Sequence, residues 1–156
     1  MTTLLEKLRT LDSFLRKSPT VDFKKTAETL GDLVDAKVYI LDLESRILGS
    51  SDSHNGTYML PEKYNILLTL NATYTNIVLT DEICRKFPMY AGKTKFSDII
   101  AIRSKKQSDE LTDQDIIILE NAAQIIGLKQ ECSLYMEGAF ARHERDFHQS
   151  HQSVFL

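Results

Sequence analysis

At 156 residues the chain is the size of one domain and can bury a core without a metal or a disulfide. Its 42% apolar and 26% charged residues suit a globular protein, and a net charge of −3 argues against direct nucleic-acid binding by this chain. The opening MTTLLEKLRTLDSFL is too often charged for a signal peptide or a membrane span, so Cys84 and Cys132 are expected as reduced thiols in a cytoplasmic protein.

In chain order, Leu4, Leu5, Leu8, Leu11, Phe14 and Leu15 give a helical stripe over residues 3–17, stopped by Ser18-Pro19. Asp22 is placed to cap a second helix, whose apolar side is Phe23, Ala27, Leu30, Leu33 and Val34. Lys37 to Leu43 is rich in strand formers. Glu44-Ser45 makes a turn, and Arg46 to Gly49 returns as the partner strand. Residues 50–57, SSDSHNGT, read as a loop. Pro61 to Leu70 reads as a helix with Pro61 in its first turn, and Thr75 to Thr80 as a strand. Lys86 to Tyr90 and Lys95 to Arg103 predict two strands about a turn at 91–94. The unbroken Ile99-Ile100-Ala101-Ile102 implies that the second is covered on both faces. After a charged loop, Thr112 is placed to cap a long helix that begins with Asp113 and Asp115 near its positive end and runs to about Tyr135. Antiparallel hairpins between helices predict an α+β sandwich, with one sheet face left to hold a small molecule.

No constellation supports catalysis, so the chain is not expected to be an enzyme. Asp109, Glu110, Asp113 and Asp115 are explained by helix capping and the helix dipole rather than by acid–base work. Gly92-Lys93-Thr94 ends like a phosphate loop, but Phe87 takes the place of the motif's first glycine and no helix follows, so it reads as a hairpin turn. His148 and His151 have a spacing that could share a metal. With no further ligand to complete a site, His143, His148 and His151 read as a polar tail, and no metal or cofactor is expected.

The stretch VDFKKTAETLGDLVDAKVYILDLESRILG at 21–49 resembles the opening of the CodY family of transcription regulators, as does the preceding LLEKLRTLDSFL. LPEKY at 60–64 is similar to that family's Phe-Pro-Glu-Glu-Tyr segment. FPMYAGKTKFSDIIAIRS at 87–104 fits the GAF strand pattern, and ELTDQDIIILENAAQIIG at 110–127 resembles the family's closing helix. The resemblance covers most of residues 1–130. It implies a GAF-like antiparallel sheet with N-terminal helices and a long C-terminal helix. A sensing domain would occupy 1–136, with a polar helical extension or tail over 137–156.

The same resemblance implies a homodimer, and a branched-chain amino acid or other small apolar ligand. Leu60, Pro61, Tyr64, Phe87 and Phe96 are the expected ligand-contacting residues. The loop after Gly49 lacks the family's Arg-Met pair, which leaves Arg85 or Lys86 to meet a ligand carboxylate. The turn Asp42-Leu43-Glu44-Ser45-Arg46 keeps a single basic residue where the family's turn is basic, so GTP is not an expected ligand. After Gly138 too few residues remain for the family's winged helix: either this is a sensor-only relative or the DNA-binding part lies outside these residues. The shortened pocket loops also suit a ligand-free GAF scaffold that dimerises through its first and last helices.

Overall fold

The computed structural model describes residues 2–52, 59–69, 75–105 and 110–132. The three tail histidines, the 137–156 extension and most of the 50–57 loop lie outside them. Two helices come first, α1 (Leu4–Arg16) and α2 (Phe23–Val34). Thr3 and Glu6 form a reciprocal capping box on α1, and the Asp22 carboxylate accepts the Lys25 amide on α2. α2 ends at Asp35, whose left-handed φ of 50° turns the chain into the sheet.

The sheet has five antiparallel strands in the order β2-β1-β5-β4-β3: β1 (Lys37–Leu41), β2 (Ile47–Ser50), β3 (Ile77–Val78), β4 (Glu82–Ala91) and β5 (Thr94–Ser104). Between β1 and β2 the Asp42 carboxylate accepts the Glu44 and Arg46 amides, and Ser45 takes a left-handed φ of 65°. Hydrogen bonds therefore build the turn read from Glu44-Ser45. Gly92 closes the β4–β5 hairpin with a φ of 64°, so Gly92-Lys93 is the turn and Thr94 already pairs with Ala91 as the first residue of β5.

Three elements differ from the sequence reading. The 61–70 helix splits into a 3-10 turn (Glu62–Tyr64) and a short α3 (Asn65–Thr69). The 75–80 strand shrinks to Ile77–Val78, pairing only with Cys84 and Ile83. β4 starts four residues earlier than Lys86, because its long register with β5 recruits Glu82 to Arg85. Pro88 is tolerated within β4 because that strand has no second neighbour there among the described residues.

A final helix, α4, is helical from 113 through 132. Thr112 and Asp115 cap it reciprocally: the Asp115 amide donates to Thr112 Oγ1 (3.2 Å), and the Thr112 amide to Asp115 Oδ2 (3.0 Å).

Side-chain alternation along the strands divides the interior into two cores. Val38, Ile40, Phe87, Met89, Ile99 and Ala101 meet α1, α2 and α4 through Leu11, Leu30, Ile118, Leu119 and Ile126. On the opposite sheet face, Tyr39, Leu41, Cys84, Ile100 and Ile102 pack under Leu60, Tyr64 and Leu67. β5 contributes to both, as its unbroken apolar run predicts.

Candidate functional site

The second core leaves a cleft of about 260 Å³ lined by Lys37, Tyr39, Ile47, Ser50, Asp52, Pro61, Lys63 and Tyr64. Lys37 and Tyr39 come from alternate positions of β1, Ile47 and Ser50 from β2, and Pro61 to Tyr64 from the turn laid across them. A larger groove of about 900 Å³ runs beside α2 past Glu28, Asp32 and Asp35. It is an open, acid-walled surface. The aromatic rings and apolar enclosure belong to the smaller cleft, which is the better place for a small ligand.

Tyr64 organises this site. It is fully buried, its ring lies 6.1 Å from that of Tyr39, and its hydroxyl donates to Glu82 Oε1 at 2.6 Å. The Lys63 ammonium reaches the same oxygen at 3.1 Å and stands 4.9 Å from the Tyr64 ring centroid. Burial would raise the Glu82 carboxyl, but the Tyr64 and Lys63 hydrogen bonds outweigh it and hold the group below the usual glutamate value. Burial pushes the Tyr39 phenol up to about 12, helped by the Asp52 and Glu82 carboxylates. The Tyr64 phenol is also raised, by burial and then by its hydrogen bond to Glu82. Both phenols therefore remain neutral donors at ordinary pH.

Lys37 and Asp52 face each other at 3.8 Å, with side chains 33% and 31% exposed. Their backbone is well fixed. The Ser51 amide donates to Val38 O (2.9 Å), the Val38 amide to Ser51 Oγ (2.8 Å), and the Asp52 amide to Ser50 Oγ (3.0 Å). These bonds extend the β1–β2 pairing and hold Asp52 opposite Lys37.

Of the residues expected from sequence, Leu60, Pro61 and Tyr64 come together here, with Leu60 buried beneath the cleft. Phe87 and Phe96 do not join them: Phe87 points from β4 to the helix side of the sheet, and Phe96, the extra β5 residue where the register shifts opposite Met89 and Tyr90, also packs against the helix-side core. Arg85 also lies on that side, 5.8 Å from the Phe87 ring. Lys86 is buried on the cleft's side of the sheet, but its ammonium donates to the Leu67 carbonyl at 3.0 Å and ties α3 down. Neither residue lines the cleft. Sequence reasoning missed Lys37, Asp52, Lys63 and Glu82. Alternation through Lys37-Val38-Tyr39 could have placed Lys37 beside Tyr39. The Tyr64–Glu82 bond spans eighteen residues and left no local signal.

At the β1–β2 turn, Arg46 Nε lies 2.8 Å from Asp42 Oδ2 and its terminal nitrogen 3.4 Å from Glu44 Oε2. The turn's one basic side chain is thus already engaged by two carboxylates. Among the described residues no group of three or more His, Cys, Asp or Glu could hold a metal ion. No helix among them is long and apolar enough to cross a membrane.

No family model matches the chain. It is 33% identical over 148 residues to the global transcriptional regulator CodY of Thermoanaerobacter sp. (strain X514), a match covering 83% of this chain and 58% of that protein. It is 34% identical over 146 residues to CodY of Caldanaerobacter subterraneus subsp. tengcongensis, covering 81% and 57%. The chain thus spans a little under three-fifths of the length of these relatives. Among solved structures, the GAF domain of CodY from Clostridium difficile superposes with a TM-score of 0.55 at 19% identity, covering 83% of this chain and 99% of that one. That domain is described as the cofactor-binding part of a nutrient sensor. A GAF domain from Pseudomonas syringae pv. tomato gives 0.55 at 14% identity, covering 89% and 92%. The structural likenesses establish the α+β GAF fold, and the sequence matches show that the chain is homologous, over the part of their length that it spans, to the global transcriptional regulators named CodY.

Proposed function

We propose that this chain is the ligand-sensing domain of a cytoplasmic CodY-like transcription regulator. Its ligand is a small, largely apolar molecule, with a branched-chain amino acid the first candidate. The observation that carries this reading is the cleft formed by Tyr39, Ile47, Pro61 and Tyr64. Its volume of about 260 Å³ lies near the lower end of small-molecule sites, which suits an amino acid better than a nucleotide. The cofactor-binding description of the C. difficile domain supports it. GTP is not proposed, because the engagement of Arg46 leaves the β1–β2 turn without a spare cation for phosphate. Direct contact with nucleic acid is not proposed either, given the net charge of −3.

Ligand binding would bias the order of the loops around the cleft and so the direction of α4. Leu5 on α1 and Ile117 and Leu128 on α4 are 57%, 43% and 61% exposed. They favour a homodimer formed through these two helices, and they equally suit the second reading, a ligand-free GAF scaffold that acts by dimerising.

Thermal denaturation with isoleucine, leucine, valine and GTP separates the two. A true ligand at roughly 100 times its dissociation constant stabilises the fold by about 2.7 kcal/mol. A shift with a branched-chain amino acid and none with GTP is expected. No shift with any of the four discards the sensing of these ligands and leaves the scaffold.

A further inference from the structure

We propose that Lys37 and Asp52 form a divided ion pair that reads the head group of the ligand, so that the cleft selects an α-amino acid as its zwitterion. This rests on the cleft being the ligand site and adds which charges select the ligand.

The cleft region holds two cations, Lys37 and Lys63, and two carboxylates, Asp52 and Glu82, but its two ion pairs differ. Glu82 is tightly engaged, with the Lys63 ammonium at 3.1 Å and the Tyr64 hydroxyl at 2.6 Å on one oxygen. Lys37 and Asp52 stand at 3.8 Å, beyond hydrogen-bond distance, with both side chains about two-thirds shielded from water. A contact of that length and exposure stabilises the fold little, so parting it costs little. The Ser50 and Ser51 bonds to the backbone hold the two groups facing each other before any ligand arrives.

A zwitterion fits between them without disturbing the charge balance. Its carboxylate meets the Lys37 ammonium and its ammonium meets the Asp52 carboxylate, exchanging one loose pair for two charge-assisted hydrogen bonds. Its apolar side chain then faces Ile47, Pro61 and the Tyr39 and Tyr64 rings. A ligand with only a carboxylate would leave Asp52 partly shielded and without its partner, and a ligand with only an amine would leave Lys37 to the field of Glu82, a carboxylate that Lys63 and Tyr64 already engage. Both are rejected for that reason.

The test is isothermal titration of the 156-residue chain with leucine, with 3-methylbutylamine, which lacks the carboxylate, and with 4-methyl-2-oxopentanoate, which lacks the amino group. The parent chain should bind leucine at least tenfold more tightly than either analogue. Lys37→Met should weaken leucine tenfold or more and improve the amine. Asp52→Asn should weaken leucine similarly and improve the oxo acid. An unchanged circular dichroism spectrum and melting temperature will show that both variants fold. Equal binding of leucine and either analogue by the parent chain overturns the divided pair and leaves the cleft as the ligand site. So does unchanged leucine affinity in both variants, or weakening of all three compounds without the crossover. Failure of the parent chain to bind any of the three, or isoleucine or valine, removes the amino-acid reading of the cleft and this inference with it.

Discussion

Glu82 receives a tyrosine hydroxyl and a lysine ammonium on one carboxylate oxygen, and this shared contact fixes the turn at 62–64 to the sheet. Tyr64→Phe should cost about 1.5–3 kcal/mol, the worth of a hydrogen bond to a charged group, and loosen that turn. Urea denaturation of the variant measures the cost, and a loss below about 0.5 kcal/mol would mean the bond contributes little. The pH dependence has a definite sign. Glu82 is held below its ordinary 4.5 in the folded chain, so its contribution is complete above that value and is lost as pH falls through the lowered one. Glu82→Gln should therefore flatten the acid side of the stability profile. Tyr39 acts at the other end: its phenol is raised from 10 to about 12, so the stability it confers holds below pH 10 and is lost as pH climbs towards 12. Lys37 and Glu82 are ordinary polar residues in the sequence. They became site residues only because strand alternation and the β4 register turned them to the face that carries Tyr64.

At the scale of elements, the seating of α4 is the most specific feature. A Cβ on Gly127 would lie 2.2 Å from the Tyr90 carbonyl oxygen, so helix and strand are closer there than any side chain allows. Gly127→Ala improves helix propensity by up to about 1 kcal/mol. It should nevertheless destabilise the chain by about 1–3 kcal/mol, because backbone must move; a rise in melting temperature would contradict the close seating. The other end of α4 is held by Arg103. Its guanidinium donates to the Val34 carbonyl and to Asp115 Oδ2 (3.2 Å), and its Nε to the Asp35 carbonyl (3.3 Å). One buried side chain thus joins the end of α2, the end of β5 and the cap of α4. Arg103→Met strands the buried Asp115 charge and should cost about 3–5 kcal/mol, readable by chemical denaturation. The helix stripes and caps were legible locally, since capping and amphipathicity are short-range. The splitting of the 61–70 helix and the early start of β4 were not, because both follow from packing on strands distant in sequence.

For the molecule as a whole, the sheet carries a core on each face: a large one under three helices and a small one under the 60–69 segment. The exposed apolar residues on α1 and α4 set the expectation in solution. Light scattering coupled to gel filtration should return twice the 17.8 kDa chain mass. Leu128→Glu should shift it towards the monomer, and a monomeric parent chain would remove the dimer from the proposal. By itself the sequence determined the element types, the two hairpins, the doubly covered β5 and the GAF resemblance, because periodicity, caps and turn residues act within a few residues of one another. Only the tertiary structure decided which side chains meet. It sent Phe87 and Phe96 to the helix-side core and gathered Lys37, Asp52, Lys63 and Glu82 around Tyr39 and Tyr64. A strand offers its residues to opposite faces in turn, and which face holds the cleft is settled by what packs on the sheet from elsewhere in the chain.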